Sequence, residues 1–178
     1  MVQTSWLNGM MTDLNELKPL IGVFSFVVLA TAGISVLRSD YTLMSLGKTF
    51  MAMFFLTFGS FKIYNLSGFR EAFQEYDPLA ERSRMYATIY PFIEVGLGLS
   101  YLYLLSNPAT PVSLTVFSLT VLVMALNGSG VLHALRNGRE LQCACLGNVF
   151  NVPMTRVTLL EDSLMALMAL TMIVSILI

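Results

Sequence analysis

Five stretches of this chain stay apolar for long enough to cross a lipid bilayer, and that constrains its fold more than any other feature. A transmembrane helix needs roughly 20 apolar residues, and within the hydrocarbon every backbone N–H and C=O must be satisfied inside the protein. The stretches run from Pro19 to Leu37, Lys48 to Leu66, Ala87 to Leu105, Val112 to Leu132 and Leu159 to Ile178. A hydrophobic fraction of 56% against 12% charged residues, with mean hydropathy +0.71, lies far outside soluble composition. The expected fold is therefore all-α: a polytopic integral membrane protein with about five transmembrane helices in the lipid bilayer.

Local signals sharpen the ends of these spans. Pro19 suits the start of the first helix, where its missing N–H costs little. Thr158-Leu-Leu-Glu161 reads as a capping box opening the fifth, with Glu161 and Asp162 in a first turn whose dipole tolerates negative charge. Ala30-Thr31-Ala32 loosely fits a signal cleavage site, but Asp13 and Glu16 before the run make a poor cationic leader, so the first run reads as a retained span. Trp6 ahead of it is a candidate interfacial anchor. The twelve methionines fall mostly inside apolar runs and read as flexible filler.

Of the connections, Arg38–Gly47 and Ser106–Pro111 are short. In Ser67–Tyr86, by contrast, Phe69, Phe73 and Tyr76 recur at helical spacing opposite Arg70, Glu71 and Glu75. That pattern predicts a short amphipathic helix lying along the membrane interface and ending near Asp77-Pro78. Internal repeats are absent from the pattern, and one compact bundle is expected. The basic residues form no nucleic-acid stripe, no Gly-rich phosphate loop is present, and no cofactor is called for.

Lys18, Arg70, Arg82, Arg84, Arg136, Arg139 and Arg156 fall on the N-terminal side of the spans, against Arg38 and Lys48 on the other. The positive-inside rule thus predicts a cytoplasmic N-terminus and an external C-terminus. Two ionisable residues, Lys62 and Glu94, fall inside spans, where charge is costly and normally pairs or serves a function. At 1.5 Å per residue their depths are similar in antiparallel neighbours, so an ion pair between the second and third spans is expected. Asn127 is expected to make an interhelical hydrogen bond, and Gly96, Gly98, Gly128 and Gly130 to mark close helix packing.

The only two cysteines stand at Cys143-Ala144-Cys145, between the fourth and fifth spans, with Gly147 just after them. In extended backbone, residues two apart point to one side, so both thiols can converge. Three readings are open. The pair can cycle between dithiol and disulfide with a partner's thiols. It can bind a soft cation such as Cu(I), Zn(II) or Hg(II), with His133 or Met154 as a further ligand. Or the cysteines can be inert packing residues.

The order of spans, Gly59-Ser-Phe-Lys62, Ser67-Gly-Phe69 and Pro91-Phe-Ile-Glu94-Val-Gly-Leu-Gly98 together resemble the DoxX-like membrane fold. Cys143-Ala-Cys145-Leu-Gly147 resembles the CGCFG-type segment of MauE-type methylamine-utilisation proteins, with Ala144 and Leu146 where that family often has Gly and Phe. The resemblance implies an N-terminal addition over residues 1–47 and a DoxX-like four-helix bundle over 48–178, formed by the last four spans. It further implies a protein of the bacterial inner membrane that assists maturation, processing or export of the disulfide-rich small subunit of methylamine dehydrogenase, beside a thioredoxin-like partner. By position, Cys143 and Cys145 would be the redox pair, and Lys62 and Glu94 the family's intramembrane polar positions. A tension follows: oxidising a periplasmic client needs oxidising equivalents outside, whereas the charge count puts the Cys143–Cys145 loop in the cytoplasm.

Overall fold

The computed structural model describes residues 3–136 and 156–178, with side chains for 18–134, 136 and 159–178. Among the described residues seven helices are formed: α1 (Gln3–Arg38), α2 (Leu43–Tyr64), α3 (Leu66–Gln74), α4 (Pro78–Arg82), α5 (Arg84–Ser106), α6 (Thr110–Arg136) and α7 (Arg156–Leu177). Five contain stretches long and apolar enough to cross a membrane, at Lys18–Arg38, Leu43–Tyr64, Arg84–Ser106, Thr110–Ala134 and Leu159–Leu177. This is an integral membrane protein, and each of the five predicted spans falls on one of these stretches among the described residues. Two helix starts differ from expectation. Pro19 lies inside α1, which begins at Gln3. α7 begins at Arg156, so Thr158 stands within the helix instead of capping it.

The spans pack in pairs, α2 along α5 and α6 along α7, with α1 against α2. Small residues set the closest approach of the first pair. A Cβ on Gly98 would lie 2.8 Å from Leu56 Cγ and 3.0 Å from the Leu56 backbone nitrogen, and one on Gly59 would lie 2.8 Å from Val95 Cγ2. Side chains could not be added there without parting the helices. The predicted role of Gly96 is corrected: nothing lies within 4 Å of its Cβ position. Two residues from Gly98, Gly96 is turned about 200° around α5 and faces outward. Between α5 and α6, Tyr101 stacks on Phe117 at 5.6 Å and its hydroxyl donates to Thr120 Oγ1 at 3.1 Å. Thr31, Ser35, Thr49 and Thr120 each donate to the carbonyl four residues earlier, which satisfies hydroxyls buried in apolar surroundings.

The two ends of the bundle are closed differently. At one end, the α1–α2 turn meets the end of α5: the Arg38 guanidinium donates to the Leu105 carbonyl at 2.7 Å. At the other end, α3 and α4 fold over the bundle. Asp77 caps α4 by accepting from the N–H groups of Leu79 and Ala80 at 2.9 and 2.8 Å, with Pro78 in the first turn where its ring fits. α3 is the amphipathic helix that was expected, but its apolar face is spent on the protein. Phe69 and Phe73 are buried, and Phe73 packs against Tyr90 of α5 at 4.6 Å between ring centroids. Gly130 of α6 lets the α3–α4 corner sit close, since its Cβ would lie 3.0 Å from the Tyr76 carbonyl oxygen.

Candidate functional site

Beneath that aromatic cover lies a small polar pocket. It is lined by Lys62 of α2, Tyr76, Tyr90 and Glu94 of α5, Asn127 of α6 and Glu161 and Asp162 of α7, walled by Phe54, Phe58, Phe69 and Phe73. The expected pair is its centre: Lys62 Nζ donates to Glu94 Oε1 at 2.5 Å, and both residues are buried. The Lys62 ammonium also stands 5.5 Å from the Phe69 ring centroid and 5.3 Å from that of Tyr90. Ring quadrupoles there attract the cation without competing for its hydrogen-bond geometry. The aromatics of α3 therefore roof the site as well as pack the bundle.

Asn127 makes the interhelical bond anticipated for it, donating from Nδ2 to Asp162 Oδ2 at 2.9 Å. Gly128 beside it leaves ordinary contact distance, 3.6 Å from its Cβ position to Asp162 Cβ. The roles of Glu161 and Asp162 were missed in the sequence. Read as first-turn charges, they are in fact turned inward, with Asp162 buried. The signal was present: the depth arithmetic that paired Lys62 with Glu94 also places the first turns of the last span at that level.

Three carboxyl groups thus share one pocket with one ammonium among the described lining residues. Three residues of this lining each have a buried polar atom without a partner: Tyr90 Oη, Glu94 Oε2 and Asn127 Oδ1. Just outside the spans, burial pushes the Asp77 carboxyl above its usual range, against the Ala80 and Leu79 N–H groups that pull it down. Its Oδ2 is buried without a partner as well. Burial likewise drives the Tyr76 phenol well up, so it remains a neutral hydroxyl.

The cysteine pair, Cys143 and Cys145, lies outside the described residues, as does Met154. The helices on either side place its attachment points. α6 ends at Arg136 and α7 begins at Arg156, and the Asn127–Asp162 bond and the Gly130 contact put both helix ends at the α3–α4 end, above the polar pocket. His133 sits exposed in the last turn of α6. Among the described residues, no group of three or more His, Cys, Asp or Glu side chains is arranged to hold a metal ion.

The family model described as methylamine utilisation protein MauE matches residues 39–175. The chain belongs to the MauE family. The match takes in α2 to the last turn of α7, including Lys62, Glu94, Cys143 and Cys145, and starts just after α1. Comparison with curated proteins and with solved structures gave no match.

Proposed function

We propose that this MauE-family protein assists the maturation, processing or export of a disulfide-containing partner by thiol–disulfide exchange at Cys143 and Cys145. The methylamine dehydrogenase small subunit is the client class that family membership favours. One observation carries the reading: the only two cysteines stand one residue apart, inside the family match, in the stretch that joins two helix ends above a buried ionic pocket.

The exchange balances without a further cofactor. One thiolate attacks a partner disulfide, forming a mixed disulfide and expelling the partner's other sulfur as a thiolate. The second cysteine then attacks the mixed bond, closing Cys143–Cys145 and releasing the partner as a dithiol. Two electrons and two protons pass to the partner, and the reverse sequence oxidises it. A thioredoxin-like protein resets the pair by the same chemistry. The family resemblance favours the bacterial inner membrane, and the Lys and Arg count favours a cytoplasmic N-terminus and cysteine stretch. Reducing equivalents from a cytosolic thiol donor then reach the pair directly.

The test is mixed-disulfide trapping in intact cells. With Cys145→Ser or Cys143→Ser, one of the two leaves the resolving thiol absent, and a covalent adduct with a thioredoxin-like protein or client should accumulate and dissolve on reduction. Membrane-impermeant maleimide, applied with and without prior reduction, reports sidedness and redox state in the same cells. Thiols that stay fully reduced, with no adduct from either variant, overturn the reading.

A further inference from the structure

Glu161 lines two separate spaces. On its inner side is the polar pocket with Lys62, Tyr90, Glu94, Asn127 and Asp162. On its outer side is a groove of about 310 Å³ between α1 and α7, lined by Leu20, Ile21, Phe24, Ser25, Leu160 and Leu164. Leu20 and Glu161 are each the third residue of their spans, so the groove lies at the membrane boundary on the α3–α4 side. A carboxyl at that position borders the groove on one side and the buried pocket on the other.

Tyr90, Glu94 and Asn127 are 1%, 3% and 7% exposed, yet each has a polar atom without a partner. Two of these atoms, Glu94 Oε2 and Asn127 Oδ1, act as acceptors, and the Tyr90 hydroxyl supplies a donor. Two acceptors and one donor are the complement that a single water can bridge, donating twice and accepting once. The pocket that these residues help to line measures about 20 Å³, above the roughly 10–15 Å³ that a single water requires.

We propose that the pocket is a proton-exchange site: at the groove Glu161 takes a proton from hydronium in the interfacial water, leaving neutral water, and passes it to Asp162, beside the polar atoms of Tyr90, Glu94 and Asn127. Each transfer moves one proton between oxygen atoms and leaves the donor a carboxylate or a neutral water; no electron moves. Every charged or titratable described group facing the site takes part in its balance. These are Lys62 from α2, Tyr76 from the α3–α4 corner, Tyr90 and Glu94 from α5, and Glu161 and Asp162 from α7; α1 and α6 present only uncharged side chains. Among the described lining residues, three carboxyls stand against one ammonium, and negative charge in excess of its partners in a desolvated site is neutralised by protons instead of being held bare. This site stands on its own, independent of the cysteine chemistry.

The test is carbodiimide labelling of the full-length protein in phospholipid vesicles, read by peptide mass spectrometry. A lipid-soluble carbodiimide reacts with a protonated carboxyl in apolar surroundings. Modification should map to Glu161, decline as pH is raised, and vanish in Glu161→Gln. Infrared difference spectra across the same pH range should show a carboxylic C=O band that Glu161→Gln or Asp162→Asn removes. Since the wild-type label is mapped directly, misfolding of a variant does not spare the proposal. No label at Glu161, a label independent of pH, or no carboxylic band assignable to the pocket overturns it.

Discussion

Neutralising Lys62 and neutralising Glu94 should not be equivalent, although the two residues form one ion pair. Removing one partner of a buried pair typically costs about 3–5 kcal/mol, because the other charge is left uncompensated. Lys62→Met falls in that range: it leaves Glu94, Glu161 and Asp162 in one pocket without a cation among the described lining residues. It also strips the ammonium from the Phe69 and Tyr90 rings. Glu94→Gln is milder, because Lys62 keeps Glu161 and Asp162 in the same pocket and a neutral acceptor in place of Glu94. The expected cost is about 1.5–3 kcal/mol, that of a hydrogen bond to a charged group. In the double variant the interaction energy should reach about 3 kcal/mol, the upper end for residues in contact. The double variant is then no less stable than Lys62→Met alone. Reversible unfolding in mixed micelles, followed by far-UV circular dichroism on all four proteins, gives the cycle. Losses that add within about 0.5 kcal/mol would show that the two side chains act independently. A Glu94→Gln loss equal to that of Lys62→Met would refute the sharing of Lys62 among three carboxyls.

Packing and capping give further tests. Gly98→Ala should destabilise by about 1–3 kcal/mol through overpacking against Leu56, whereas Gly96→Ala, with open space around it, should be neutral or stabilising by up to about 1 kcal/mol in thermal unfolding. Asp77→Ala should cost about 0.5–2 kcal/mol by uncapping α4, while Asp77→Asn keeps an N-cap oxygen. The Asp77 carboxyl is raised in the folded protein, so between its unfolded and folded values the folded state binds more protons than the unfolded. Its contribution to stability therefore falls as pH rises through that window, and Asp77→Asn should remove this slope; an unchanged slope would place its origin elsewhere.

The Lys62–Glu94 pair was legible because it depends on one dimension. Depth in a helix is residue number times rise, and two opposite charges at equal depth in antiparallel neighbours have little choice but to meet. Asn127 followed from a similar economy, as an amide in hydrocarbon needs a partner on another helix. The identity of that partner did not follow. Asp162 and Glu161 stand in the first turns of α7, where solvent-facing and inward-facing acids look alike in sequence, and only the rotation of α7 against α6 turned them to the pocket. Gly96 and Gly98 differ for the same reason: both suit a helix interface, and the azimuth of α5 against α2 gave the contact to Gly98 alone.

By itself, then, the sequence determined five apolar stretches of spanning length among the described residues, where each starts and stops to within a few residues, and that Lys62 would meet a glutamate. These follow from hydropathy and length, which are properties of each segment alone. Tertiary structure decided how each helix is rotated and what covers the bundle end. It drew the aromatic face of α3 away from the interface to roof the Lys62 pocket, and it set Glu161 between a groove and that pocket. An amphipathic face states only that it must be buried; the nearest apolar surface of sufficient size decides where, and here the surface was the protein's own.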